Sequence, residues 1–304
     1  MKPTKRLIRV ISRATENVRL HVRKLKKAPY ERLGENHTAI ELISIVIPTF
    51  NEERGIDRTI NEIPVSEIEK LGYSCEIIIV DGNSSDMTRR IGKEAGAKVI
   101  VEQTPGYGRA YMTGFEHAQG GVIVTLDGDF SYPAYLIPNL VKLLEEENLD
   151  FVSTNRFAHL KKETMNSLHI IGNRLLTHFT RTLFSIDMRD SQSGMWVFRK
   201  AILNKMDLHA YGMAFSEEIK LHAFRKFKAK EVPIEYRKRI GKQKVKTFTD
   251  GFKNLLYLFK LRKSDGTLDG GKQPIKGSIG GARIPYSHCD RTLSPPYWRP
   301  RKPL

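Results

Sequence analysis

Cysteine is nearly absent from this 304-residue chain, with only Cys75 and Cys289. Two thiols exclude a disulfide scaffold and any cysteine-rich zinc site. The nine histidines form no His-x-x-x-His or His-x-His pair, so a histidine-ligated metal has no support either. No run approaches the roughly 18–20 apolar residues of a membrane-spanning helix. The N-terminal region is basic, but Arg9 and Arg13 interrupt its apolar residues, which argues against a secretory signal. A reduced, cytoplasmic setting is the plain expectation. Cys75 precedes an apolar run and reads as a small buried hydrophobe.

Acidic residues are also scarce: 34 Asp and Glu stand against 51 Lys and Arg, a formal charge of +17. The imbalance sits at the ends. Residues 1–30 hold ten basic residues and one Glu (+9), and residues 261–304 hold nine basic residues and three Asp (+6). Only +2 is left for the 230 residues between them. Hydrophobic residues make up 40% of the chain, enough for a core and too many for wholesale disorder.

Three segments follow from these patterns. Residues 1–42 form a basic N-terminal segment, in which Leu7, Val10, Ile11, Ala14, Val18, Val22 and Leu25 make one apolar stripe over residues 5–27. That is the composition of a membrane-surface helix. A nucleic-acid contact, a helix packed on the body and a solvated tail fit the same periodicity. Residues 264–304 carry six Gly and six Pro without apolar periodicity, as a disordered basic tail does.

Residues 43–263 alternate strands with helices. Ile43–Pro48, Glu76–Val80, Lys98–Glu102 and Gly121–Leu126 read as short buried strands, and strands recur near 150–154 and 194–198. Helices are expected over 53–70, 86–96 and 106–118. The fold class is α/β, with a mostly parallel central sheet and helices on both faces.

In such sheets ligands bind beyond the carboxyl ends of the strands. Three consecutive strand ends here carry carboxylates: Asn51-Glu52-Glu53, Asp81-Gly82-Asn83-Ser84-Ser85-Asp86 and Asp127-Gly128-Asp129. Two carboxylates two residues apart can converge on one hard divalent cation, Mg²⁺ or Mn²⁺, leaving positions open for diphosphate oxygens. An Asp-Gly turn is the simpler use of the same residues, but convergence at three strand ends favours a site. Gly106-Tyr107-Gly108 lacks P-loop spacing, and the first strand ends without a dinucleotide fingerprint. A turn before a helix suits those glycines better.

Ile47-Pro48-Thr49-Phe50-Asn51-Glu52, Asp81 to Asp86, Asp127-Gly128-Asp129 with Pro133, and Asp190-Ser191-Gln192-Ser193-Gly194 occur in that order. In these motifs the chain resembles the family 2 glycosyltransferases of the GT-A fold, above all the dolichyl-phosphate mannose and glucose synthases, over about residues 43–246. The resemblance implies that Pro48, Phe50, Glu52, Val80 and Asp81 line the nucleotide pocket. It implies that Asp127 and Asp129 hold the metal, with Gly128 between them and Ser131 where some relatives have a Gln ligand. Arg156 matches an arginine that meets a phosphate, Asp190 lies near the sugar, and Glu218 is an acidic residue facing the site. Arg237, Arg239 and Lys244 resemble a mobile phosphate-binding segment.

The implied activity is inverting, metal-dependent transfer of a hexose from a sugar nucleotide to a polyprenyl (dolichyl) phosphate. The enzyme would sit peripherally on the cytoplasmic face of the membrane, through residues 5–27 or an anchoring partner. A family 2 transferase acting on a glycan or lipid hydroxyl is the alternative within the class. A non-catalytic polyanion-binding protein is the alternative outside it, and would leave the acidic strand ends unexplained. No specific nucleic acid is expected as a partner.

Overall fold

The computed structural model describes residues 41–161, 163–241 and 247–265, which lie in one compact unit. The 5–27 stripe, Lys244 and the chain beyond Asp265 are outside the described residues. Seven strands, β1 (Glu41–Thr49), β2 (Tyr73–Asp81), β3 (Lys98–Val101), β4 (Val122–Thr125), β5 (Phe151–Asn155), β6 (Trp196–Arg199) and β7 (Ala229–Pro233), form one sheet in the order β3-β2-β1-β4-β6-β5-β7. β6 pairs antiparallel with both β4 and β5, whereas every other pairing is parallel. The β-branched runs explain the centre: Ile43, Ile45, Val46, Ile47, Ile78, Ile79, Val80, Ile123 and Val124 are fully buried. A strand covered on both faces needs apolar side chains at odd and even positions alike. Each such side chain contributes about 1.5–3 kcal/mol on burial.

The helices are α1 (Ile56–Asn61), α2 (Val65–Lys70), α3 (Thr88–Glu94), α4 (Tyr107–His117), α5 (Ile137–Glu146), α6 (Ser167–Phe184), α7 (Phe215–Lys226) and α8 (Thr247–Asp265). The single helix expected over 53–70 is two, because Pro64 stands between them and lacks the N–H that helix continuation needs. One apolar cluster packs α1, α2 and α5 on one face of the sheet, and a second packs α4 and α7 on the other. A third, smaller cluster joins Leu176 and Phe184 of α6, Leu221 of α7 and Leu258 of α8. Cys75 is partly buried against the first cluster, and burial pushes its thiol up to about 11. It is the inert small hydrophobe that its position suggested.

Candidate active site

The β1–β2 register sets Thr49 beside Asp81, and the β1–β4 register sets Val46 beside Thr125. The loops that follow β1, β2 and β4 therefore emerge at one edge of the sheet. The first two are stitched together. Asp81 accepts from Thr49 Oγ1 (3.2 Å), Ser84 N (2.8 Å) and Ser84 Oγ (2.5 Å), with Arg89 Nε at 3.6 Å. Asn51 sits at φ 53°, its N–H donating to Ser84 Oγ and its Oδ1 accepting from Ser85 N. Asn tolerates this left-handed backbone better than other side chains do. Pro48 is half-buried at the end of β1. Phe50 is 49% exposed, and a Cβ at Gly82 would lie 3.8 Å from its ring. An aromatic face left open beside a glycine is a stacking platform for a flat base. Val80, expected in that pocket, is instead fully buried in the second apolar cluster; alternation along β2 turns it away from the side chain of Asp81.

After β4 come Asp127, half-buried, and Asp129, buried. Tyr107 Oη donates to Asp127 Oδ1 at 3.1 Å. Burial and the nearby Asp129 charge push the Asp127 carboxyl up to about 7, with Tyr107, Arg239 and Arg156 opposing the shift. Ser131 donates both its N–H (3.0 Å) and its Oγ (2.5 Å) to Asp129 Oδ1, so it orients that carboxylate. Between them Phe130 adopts φ 65°, and its N–H donates to Thr59 Oγ1. Gly128 is buried, and a Cβ there would approach Thr49 Cγ2 at 2.9 Å and Glu52 Cγ at 3.4 Å.

The segment after β7 lies over this loop. Arg237 N donates to Ser131 O (3.0 Å) and Ile240 N to Asp129 O (2.9 Å). Arg239 Nη2 lies 2.9 Å from Asp129 Oδ2 and 3.5 Å from Glu52 Oε1, while its Nε is buried without a hydrogen-bond partner. Arg237, expected in a mobile phosphate-binding segment, is ion-paired here. Its Nη1 and Nη2 meet Glu62 Oε2 (3.0 Å) and Oε1 (2.7 Å), and its guanidinium lies over Phe130 at 4.7 Å and Tyr135 at 5.4 Å.

The antiparallel β6 brings the residues before it, Asp190 to Gly194, to the same edge. A Cβ at Gly194 would meet Tyr107 Oη at 2.5 Å and Asp127 Oδ1 at 3.4 Å. Arg156, at the end of β5, grips Asp190 bidentately: Nε to Oδ2 at 2.8 Å and Nη2 to Oδ1 at 2.9 Å. Arg156 N (3.0 Å) and Gln192 N (3.1 Å) donate to the same carboxylate. Both residues are buried, and Arg156 with Lys220 holds the Asp190 carboxyl below the usual range despite its desolvation. All four acceptor positions of Asp190 are filled, so it positions Arg156 and has no lone pair left to act as a base. Arg156 also lies 5.3 Å over the Tyr236 ring.

Glu218 is likewise committed elsewhere. It accepts from His209 N (3.0 Å), Ala210 N (2.8 Å) and Tyr257 Oη (2.7 Å), clamping the 207–210 loop and α8. That loop presses against the paired glycines: a Cβ at Gly106 would lie 2.3 Å from Tyr211 O, and one at Gly108 2.1 Å from Ala210 O. The glycines serve backbone approach.

Sequence reasoning missed Lys220 and Glu217, both fully buried on α7. Lys220 Nζ donates to Asp190 O (2.7 Å) and Ser193 O (3.0 Å), closing the 190–194 loop from below. Burial drives its ammonium down to about 7 and the Glu217 carboxyl up to about 8. Tyr107, Tyr132 and Tyr236 were missed as well. Tyr132 Oη accepts from Gly194 N at 2.7 Å across 62 residues of sequence, a pairing that leaves no local signal.

Such a sheet, with an acidic loop after β4 and a reversed strand beside it, has the architecture of the GT-A fold. A solved glucosyl-3-phosphoglycerate synthase from Mycobacterium tuberculosis, in complex with Mn²⁺, UDP-glucose and phosphoglyceric acid, matches with a TM-score of 0.61 at 20% identity, covering 77% of this chain and 86% of that one. Residues 44–207 match the family model described as glycosyl transferase family 2. The low-salt glycan biosynthesis hexosyltransferase Agl6 of Haloferax volcanii is 32% identical over 219 residues, 71% of this chain and 52% of that protein. The dolichyl-phosphate hexose transferase of the same organism is 30% identical over 210 residues, covering 69% and 89%. The dolichol-phosphate mannosyltransferase of Pyrococcus furiosus is 26% identical over 253 residues, covering 79% and 68%. This chain belongs to glycosyl transferase family 2. It spans about half the length of Agl6.

Proposed function

We propose that the protein transfers a hexose from a sugar nucleotide of the GDP-mannose or UDP-glucose type to a polyprenyl (dolichyl) phosphate, with inversion, at the cytoplasmic face of a membrane. The catalytic unit is residues 43–263, flanked by the basic segment 1–42 and the tail 264–304. The observation that carries this reading is the Asp127–Asp129 pair lying beneath Arg239, with Arg156 close enough to act on the Asp127 carboxyl. Relatives named for dolichyl-phosphate and undecaprenyl-phosphate sugar transfer support the acceptor class.

The carboxylate pair suits a hard divalent cation. Asp127 is pushed up to about 7 by its own burial and by Asp129, a repulsion that a cation relieves. Among the described residues no group of three or more acidic, His or Cys side chains could hold a metal alone, so Asp127 and Asp129 would hold a cation together with donor phosphate oxygens, as is usual for Mg²⁺. When bound, the ion neutralises charge developing on the leaving diphosphate. Arg239 exchanges Asp129 for diphosphate oxygens, and the resemblance assigns Lys244 to the same phosphate-binding role. Phe50 stacks the base, with Pro48, Glu52 and Asp81 around it. Arg156, oriented by Asp190, receives the acceptor phosphate.

That acceptor choice follows from the carboxylates. Asp190 and Glu218, the acidic residues that the resemblance placed by the sugar and facing the site, are consumed by hydrogen bonds. A phosphate monoester is already ionised near pH 7 and needs no base, whereas a hydroxyl acceptor needs one. The test is a donor screen with a short polyprenyl phosphate and Mg²⁺ or Mn²⁺, read as sugar transferred to lipid. Transfer to a glycan or diacylglycerol hydroxyl, with none to polyprenyl phosphate, refutes this reading. Polyanion binding without any metal-dependent turnover of donor refutes the enzyme class.

A further inference from the structure

The described helices bear two exposed apolar stripes. On α6, Leu168, Ile171 and Leu175 are 52%, 62% and 51% exposed; on α8, Phe252, Leu256 and Phe259 are 62%, 54% and 43% exposed. The spacings i, i+3, i+7 and i, i+4, i+7 put each trio on one helical face. The stripes join, because Phe179, one turn on from Leu175, meets Phe259 with ring centroids 6.4 Å apart. Opposite faces of the same helices are anchored in the third apolar cluster through Leu176, Phe184 and Leu258. The outward apolar residues are therefore surplus to the packing that holds the helices in place.

Acidic residues are absent from the stretches that carry the stripes, although Asp250 and Asp265 stand near the two ends of α8. α6 contains no acidic residue, and α8 has none between Gly251 and Ser264. The exposed residues around the stripes include Arg174, His178 and Arg181 on α6, and Lys253, Lys260, Arg262 and Lys263 on α8. A helix solvated on all sides mixes both signs along its surface. An apolar face bordered by basic side chains, whose stems reach past it to anionic headgroups, suits the lipid–water boundary. Neither helix is long and apolar enough to cross a membrane.

A cleft lies at the N-terminal end of α6. The loop leading into α6 contributes Lys161, Glu163 and Thr164 to a cleft of about 500 Å³ whose other wall is Glu235, Tyr236, Arg237 and Lys238. Tyr236 carries Arg156 over its ring. The cleft walls supply Lys161, Arg237 and Lys238, cationic groups suited to a lipid phosphate.

We infer that the joined apolar faces of α6 and α8 form the surface by which the protein rests on an anionic phospholipid bilayer. The inference rests on the membrane-bound acceptor proposed above, but its test does not. Binding of the full chain to phosphatidylcholine–phosphatidylglycerol vesicles is measured by sedimentation, without donor or acceptor, for the parent and for Ile171→Gln combined with Leu256→Gln. Both sites are exposed, so circular dichroism and melting should be unchanged. The expected result is about tenfold weaker vesicle binding, as removal of apolar contact predicts. Where transfer has been demonstrated, the variant should keep the parent rate on a water-soluble short-chain acceptor and lose rate on a vesicle-embedded one. Equal vesicle binding by parent and variant overturns the inference. So does a parent that ignores vesicles but is dimeric by light scattering while the variant is monomeric, which would make the face a contact between copies.

Discussion

Replacing Asp190 by Ala tests the arrangement most severely. The carboxylate is fully buried and receives four hydrogen bonds, three of them from Arg156. Truncation strands a guanidinium that is only 6% exposed. Breaking a buried ion pair from one side costs about 3–5 kcal/mol, much of it the desolvation of the charge left behind. Arg156→Met with Asp190→Ala removes both charges, so the double variant should be less destabilised than the sum of the singles by about 2 kcal/mol. Urea unfolding at pH 7 measures each term. The pH dependence follows in sign. Asp190 is held below its unfolded value of about 3.9, so its stabilisation is present above that pH and is lost as pH falls through the folded value. The deficit of Asp190→Ala should hold steady above about pH 5 and shrink in acid. A deficit under about 1 kcal/mol at pH 7, or one that grows in acid, would refute the buried-pair argument.

Asp129→Asn should leave the fold intact and lower donor turnover by several kcal/mol of barrier; Mn²⁺-dependent nucleotide binding by calorimetry, unchanged in the variant, would remove Asp129 from the metal site. Glu217 is held near 8, above its unfolded value, so its contribution is complete below about pH 4 and lost as pH rises towards 8. Glu217→Gln should therefore gain about 1 kcal/mol or more over the parent at pH 8 and nothing near pH 4, read by thermal melts at both. Gly194→Ala drives a methyl to 2.5 Å from Tyr107 Oη and should impair turnover far more than melting temperature. Tyr257→Phe deletes the phenol that donates to Glu218; it should cost about 1–2 kcal/mol and expose α8 to proteolysis first.

The central strands were legible because double-sided burial writes itself as an uninterrupted β-branched run, as in Ile43–Pro48 and Glu76–Val80. The acidic strand ends were legible because a carboxylate after a buried strand is a local pattern. What could not be read is pairing across distance. Arg156 and Asp190 lie 34 residues apart, Tyr107 and Asp127 twenty apart. Nothing near Glu218 announces that Tyr257 and the 207–210 backbone will occupy it. Its neighbour Glu217 is turned about 100° around α7 and meets Ser191 instead. α6 hid for a related reason, since apolar residues on both its packed and exposed faces blur the helical period.

The reversal of β6 has a structural corollary. Since that strand runs against its neighbours, the chain leaves the site at Arg156 and re-enters it at Asp190, so both ends of the intervening excursion are clasped by one ion pair. The sheet contributes no strand between those residues. Residues 157–189 thus form one excursion that is held twice, by the Arg156–Asp190 pair where its ends meet and by Leu176 and Phe184 in the third apolar cluster.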